Sequence, residues 1–267
     1  MLKDITMGQY LPGDSVIHRL DARVKLVLAI AFIVFLFFVD SFAGYAVVTV
    51  YLAIVIALGH IPLRFLLKGI KPLIFLIALT FVINVLFGGE GKTLFRWAFI
   101  HVTVEGLLQA VFLALRLIFL IMGTSVLTLT TSPINLTDGL ERLMSPLARI
   151  GFPAHELAMM MSITLRFIPT LLEETDKIMK AQMARGADFE SGNVLQRAKA
   201  LVPLLVPLFV SAFRRADELA MAMEARCYHG GEGRTRMKVY KVVKTDYAAM
   251  GVTALFVAAI LLLRYGV

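Results

Sequence analysis

The chain has 267 residues, 59% of them hydrophobic and 17% charged, with a mean hydropathy of +0.81 and a formal charge of +8 at pH 7. A soluble domain of this size could hardly bury so much apolar surface, so the bilayer is its natural solvent. The positive charge then points to cytoplasmic loops rather than nucleic acid, for which no aromatic-basic reading module is present. The single cysteine, Cys227, excludes an internal disulfide and a multi-cysteine zinc site.

The start, Met1 to Val16, is mildly polar, and no small-residue cleavage signal comes after the first apolar run, which is therefore expected to remain as a membrane span. Five runs are apolar and close to the length a bilayer demands: Val24 to Val39, Phe42 to Leu58, Pro72 to Phe87, Leu107 to Thr130 and Tyr247 to Leu263. Between the fourth and fifth lies a charged stretch whose two apolar segments, Leu157 to Leu165 and Ala200 to Phe213, are too short for spans. With a cytoplasmic N-terminus, 23 of the 27 Lys and Arg fall inside, and only Lys92, Arg96 and Arg264 fall outside. The expected fold is all-α and polytopic: a membrane region over 1–130 with four spans, a cytoplasmic helical region over 131–246, and a last span over 247–267 that leaves the C-terminus outside.

Within the cytoplasmic region, Pro133 to Arg149 has apolar residues at the helical period and predicts an amphipathic helix. Gly151-Phe152-Pro153 breaks it. A second helix is expected from Pro153, bent near Pro169 and stopped at Gly186, a residue suited to a left-handed cap. A third starts after Asn193, passes Pro203 and Pro207, and ends around Cys227, before the Gly230-Gly231-Glu232-Gly233 loop. Each would be roughly 50 Å long if continuous, at ~1.5 Å per residue.

The two long helices end alike. Asp176, Ile178, Ala181, Ala184 and Arg185 align with Asp217, Leu219, Ala222, Ala225 and Arg226. Ala181 with Ala184, and Ala222 with Ala225, share a helix face that another helix can approach closely, while each Arg sits in the final turn, favoured by the helix dipole. A solvated C-terminal arginine explains either tail alone. Two such tails in one region suggest twin plugs, each offering a planar fork to a carboxylate pocket.

These paired tails and the overall layout resemble EcfT, the transmembrane component of energy-coupling factor (ECF) transporters. The resemblance implies two cytoplasmic coupling helices, each ending in an Ala-Arg-Gly type motif that docks into one of two ABC ATPase subunits. Ala184-Arg185-Gly186 matches that motif fully, and Ala225-Arg226-Cys227 replaces its glycine. Leu20-Asp21-Ala22-Arg23-Val24-Lys25-Leu26 also resembles the family's approach to the first span, with Ala22 where Pro is usual. The implied function is that of a non-catalytic scaffold in the cell membrane, coupling two ATPases to a separate substrate-binding membrane subunit for vitamin or metal-ion uptake. The competing reading is a secondary transporter that binds its own substrate, which would show paired, interrupted membrane halves and intramembrane polar clusters.

Other features predict less. In Gly88-Gly89-Glu90-Gly91-Lys92-Thr93, Leu86 stands where a phosphate loop needs its first glycine, so no nucleotide site is expected. The five histidines are dispersed, and Cys227 with His229 supplies at most two ligands, so neither a metal nor any other cofactor is expected. No nucleophile, base and orienting group share a motif. Met159-Met160-Met161 reads as adaptable packing. Arg116 is the one charge deep in a span, expected either to serve function or to clamp Asn84 or helix-end carbonyls.

Overall fold

A computed structural model of the chain describes residues 10–87, 93–97, 100–189, 193–230 and 242–266. It divides into two compact units, one formed by 8–139 with 240–267 and the other by 140–239. The glycine-rich run at 88–92 lies outside the described residues.

The first unit contains α1 (Val16–Arg19), α2 (Ala22–Leu36), α3 (Phe42–Gly59), α4 (Leu63–Ile70), α5 (Ile74–Phe87), α6 (Val104–Thr130), the start of α7 (Pro133–Met144) and α10 (Lys244–Tyr265). An antiparallel hairpin of β1 (Thr93–Trp97) and β2 (Ile100–Thr103) precedes α6 and is the only sheet among the described residues of this otherwise helical protein. Four helical stretches are long and apolar enough to cross a membrane: Phe42–Gly59, Leu63–Leu86, Val104–Thr130 and Lys244–Tyr265. Their outward faces are apolar too, with Phe75 75%, Leu255 73% and Val50 60% exposed, as suits side chains solvated by lipid.

The structure redraws the bounds of two segments near the spans. The first span is expected over Val24 to Val39, but α2 has only 15 residues and stops at Leu36, shorter than a typical crossing. The stretch holding Arg64, Lys68 and Lys71, expected as a connection, is helical: α4 leads through a 3-10 turn, Lys71–Leu73, directly into α5. Pro72 falls in the first turn of this second helical segment, where its missing N–H breaks no ladder, so helix continues in place of a loop. Leu66 seals α4 inward at 1% exposed, in a cluster with Ile61, Val126 and Leu129, while Leu63 and Leu67 stay outside.

The core sits where α2, α3, α6 and α10 meet, around Phe32, Leu36, Tyr45, Val48, Phe119, Phe256 and Ile260. Phe32, Tyr51 and Phe256 stack on one another with centroids 4.3–5.9 Å apart, and the Tyr51 hydroxyl bonds Thr253 Oγ1 at 3.0 Å. Gly123 permits this close packing, because a Cβ there would run into the Phe32 ring.

At the opposite end of α2 from the Phe37–Asp40 turn, a polar latch ties three chain segments. Asp21 caps α2 by accepting the Arg23 N–H at 2.9 Å, and Arg23 grips the same carboxylate with its guanidinium, Nη2 to Oδ2 2.7 Å. Asp246, 1% exposed, accepts the Asp21 N–H at 3.0 Å on Oδ1 and the Val243 N–H at 2.8 Å on Oδ2. The buried Lys25 ammonium donates to the carbonyls of His18 and Thr130 and to Thr131 Oγ1. Gly139 lies against Ala22 and Arg23, where a Cβ would come within 3.1 Å of the Ala22 Cβ and 3.2–3.3 Å of the backbone. The segment Leu20 to Leu26 thus fastens the starts of α2 and α10 to the end of α6.

The second unit carries the rest of α7 and two 31-residue helices, α8 (Ala154–Ala184) and α9 (Val194–Glu224). The amphipathic helix predicted to Arg149 is shorter, because α7 gives way at Met144 to a 3-10 turn, Ser145–Ile150. Pro146 is the cause: it offers no N–H to the Arg142 carbonyl, which takes a bond from the Ser145 hydroxyl at 2.9 Å instead. Gly151 then turns the chain at φ +85°.

Candidate functional site: two matched helix ends

α8 and α9 each rise roughly 46 Å at ~1.5 Å per residue, and both contain the expected prolines: Pro169 in α8, Pro203 and Pro207 in α9. They run antiparallel. Near one end the Gln182 side chain reaches the Pro203 carbonyl at 3.3 Å, in the middle Arg215 meets Glu174, and near the other Met159 and Ile163 share a cleft of about 470 Å³ with Leu219 and Met223. The Arg185 end of α8 therefore lies beside the first half of α9, and the Arg226 end of α9 beside the first half of α8. About twenty residues of α8 separate the two levels, or roughly 30 Å.

The seam between the helices is polar and local. Pro207 has no N–H to give to the carbonyl four residues back, which is that of Pro203, and Gln182 supplies the missing donor from the other helix. Arg215 binds Glu174 Oε2 through Nε at 3.2 Å and Nη2 at 3.0 Å. Ser211 first, and Arg215 with it, hold the Glu174 carboxyl below its usual range. Because the folded value is lowered, the pair stabilises the helix contact fully above the ordinary carboxylate range and loses that contribution as pH falls through the folded value. Glu174→Gln is expected to cost at most about 1 kcal/mol near pH 7, since the pair is partly exposed. It should also flatten the acid limb of the unfolding temperature between pH 7 and pH 3, as monitored by circular dichroism.

The helix ends themselves are built alike. After α8, the Gly186 N–H bonds the Met183 carbonyl and the Ala187 N–H bonds the Gln182 carbonyl, both at 3.0 Å. After α9, the Cys227 N–H bonds the Glu224 carbonyl at 2.9 Å and the Tyr228 N–H bonds the Met223 carbonyl at 3.0 Å. Each is the paired-bond stop that needs a left-handed residue after the last turn. Gly186 takes it at φ +88° and Cys227 at φ +55°. A Cβ at Gly186 would meet nothing within 4 Å, so the glycine serves the backbone angle rather than space. The cysteine thus makes the same stop against its own preference. Cys227→Gly is expected to stabilise the end of α9 by about 0.5–1 kcal/mol, seen as slower hydrogen exchange at the amides of 227 and 228.

Ala184, Arg185, Gly186, Ala225, Arg226 and Cys227 are all exposed, so both tails are presented outward. Ala181 and Ala222 are exposed as well. Within this chain the close helix approach that their spacing allows is not used by α8 and α9, whose seam runs through Glu174, Gln182, Pro203 and Arg215. Arg116 and Asn84 are not brought together. Asn84 bonds the Thr80 carbonyl at 2.8 Å within its own helix, whereas Arg116 Nη2 donates to the Val39 carbonyl at 2.9 Å and Asp40 Oδ1 at 3.2 Å. Arg264 joins Asp40 at 3.5 Å and the Phe38 carbonyl at 3.3 Å. Arg116 lies midway along α6, which suggests depth, yet the short α2 ends at its level and offers carbonyls there. Among the described residues no group of three or more His, Cys, Asp and Glu is placed to hold a metal ion.

Sequence reasoning missed the Asp21–Asp246 latch, Glu174 with Arg215, and the Gln182–Pro203 bond. Asp246, three residues after Val243 at the head of an apolar helix, carried a capping signal. The four-residue spacing of Pro203 and Pro207 marked an orphaned carbonyl, though not its donor. Nothing local paired Glu174 with Arg215.

The family model CbiQ, described as a cobalt transport protein, matches residues 13–237. The chain is 58% identical over 264 residues to the energy-coupling factor transporter transmembrane protein EcfT of Thermosediminibacter oceani, covering 99% of each chain. It is 59% identical over 250 residues to the protein of that name from Clostridium kluyveri, covering 93% of each, and 51% identical over 262 residues to that of Bacillus subtilis, covering 98% of each.

Proposed function

The chain belongs to the family of EcfT transmembrane proteins of energy-coupling factor transporters, and on that premise we propose that it passes the motion of two ABC ATPase subunits to a separate substrate-binding membrane subunit during vitamin or metal-ion uptake. The observation that carries this reading is the pair of matched, exposed Ala-Arg stops at opposite ends of two antiparallel helices. Arg185 and Arg226 anchor one ATPase each. The exposed small faces at Ala181 with Ala184 and Ala222 with Ala225 let the ATPase surface close on the helix backbone. Between the ends, Gln182 on the Pro203 carbonyl and Arg215 on Glu174 make α8 and α9 move together, which a relay of displacement requires.

The substrate subunit meets an apolar stripe on α9. Val202, Val206, Phe209 and Phe213 recur at helical spacing and are 53%, 57%, 60% and 70% exposed, a face too apolar for water. The charge distribution favours the N-terminus and the 131–246 region in the cytoplasm, and with α2 as a short fifth crossing the C-terminus lies outside. The chain itself performs no chemistry and binds no nucleotide. A carrier that binds its own substrate is less well supported, since Arg116 is occupied by the end of α2 and Asn84 by its own helix. Affinity purification in mild detergent discriminates the two. Copurification of two ATPase subunits is expected, and a solitary chain that binds substrate by itself would overturn the reading.

A further inference from the structure

A half-open cavity of about 210 Å³ lies between α2, α3, α6 and α10 in the first unit. Its walls come from matching parts of those helices: Lys25 to Phe32, Leu52 to Leu58, Gly123 to Thr130 and Thr245 to Thr253. These are the segments next to the Asp21–Asp246 latch, so the cavity belongs to a single leaflet of the bilayer. The lining is almost entirely carbon, with Leu28, Ala29, Val55, Val126 and Val252 among its members. A void of this kind in a packed bundle forfeits dispersion contacts unless something apolar fills it, and the surrounding solvent is hydrocarbon.

The polar end of the cavity is cationic. Lys25 is its only cationic wall residue and donates to three neutral oxygens. Arg19 and Lys244, both exposed, immediately precede the lining residues Leu20 and Thr245. The two carboxylates of the latch are engaged, Asp21 by Arg23 and Asp246 by backbone N–H groups. With Arg23 and Asp21 paired, three cations, Arg19, Lys25 and Lys244, stand against the one carboxylate that no side-chain cation neutralises, Asp246, and the net positive charge attracts an anion at the membrane surface.

We propose that this cavity holds one acyl chain of an anionic phospholipid, with its headgroup beside Arg19 and Lys244 and its hydrocarbon against Leu28, Val55 and Val252. The lipid completes the core where α10 leans on α2 and α3. The inference rests on membrane insertion alone, so loss of ATPase copurification would leave it untouched.

The test uses the full complex reconstituted in nanodiscs with phosphatidylglycerol carrying a photoreactive diazirine in its acyl chain, adducts being mapped by mass spectrometry. Labelling is expected to concentrate at Leu28, Val55 and Val252. It should fall at least tenfold in Ala29→Phe/Ala248→Trp, and a phosphatidylcholine probe should label the same residues at least fivefold less. Ala248→Trp alone, at an exposed position, is the second variant and should lower labelling severalfold. Labelling no stronger there than at Val50, Phe75 and Leu255, or unchanged in the filled variants, would overturn the site. Equal labelling by the two headgroups would overturn its anionic character. Cavity labelling that appears only without the substrate subunit would assign the groove to that partner instead.

Discussion

Replacing both Arg185 and Arg226 with Glu is expected to abolish recovery of the ATPase subunits with this chain, while either single change leaves a weakened complex. The asymmetry between single and double variants comes from geometry. The two stops lie roughly 30 Å apart along antiparallel helices, too far for one to compensate locally for the other, and sites at that distance act independently. With one end intact, the second ATPase stays within reach of a linked complex, so its loss is softened by effective concentration. Removing one partner of a desolvated, hydrogen-bonded ion pair costs about 2–5 kcal/mol, or roughly 30-fold and upward in affinity per site. Under the proposed docking, reversal would add repulsion inside a carboxylate pocket. The measurement is ATPase stoichiometry after affinity purification, with coupled ATP hydrolysis as the second readout. Full assembly of the double variant would end the docking assignment. Arg185→Lys and Arg226→Lys should lie between, since an ammonium supplies charge without the bidentate fork.

How much of this was legible in the sequence depends on how local each cause was. The stop at Gly186 could be read because a glycine after an Ala-Arg turn has one obvious use. The matching stop at Cys227 could not, because a cysteine does not announce a left-handed backbone; the replacement suggests unlike ends where the hydrogen bonds are the same. Both long helices could be read with their prolines, whereas the helical run across Lys71 and Pro72 could not, since charge and proline together resemble a loop. The extent of α2 depended on where the chain turns at Phe37 to Asp40, which apolar content alone does not mark. Arg116 illustrates the general difficulty. Sequence places it by depth along α6, but burial is a property of the bundle, and a shorter neighbouring helix brings carbonyls and Asp40 to the same level. Glu174 and Arg215 lie 41 residues apart in sequence, and only the antiparallel packing of two helices makes them neighbours.

Asp246→Ala is expected to be the most damaging single change in the first unit. The carboxylate is 1% exposed and satisfies two backbone N–H groups, those of Asp21 and Val243. Alanine leaves both without an acceptor, at about 1–3 kcal/mol for the buried Asp21 N–H and less for that of Val243, which water can reach, and strips the acidic cap from the first turn of α10. The consequences extend beyond the latch, because α10 carries Phe256 and Ile260 into the core and Thr253 to the Tyr51 hydroxyl. A loosened start to α10 also opens the wall of the cavity at Thr245 to Thr253. The unfolding temperature in detergent should fall by roughly 5 °C or more, with a lower yield from membranes. Asn retains one acceptor but turns an amide N–H toward the other donor, so Asp246→Asn should recover only part of the loss. An unchanged unfolding temperature for Asp246→Ala would mean that Asp21 and Val243 find other partners, and that the latch does not hold α2 and α10 together.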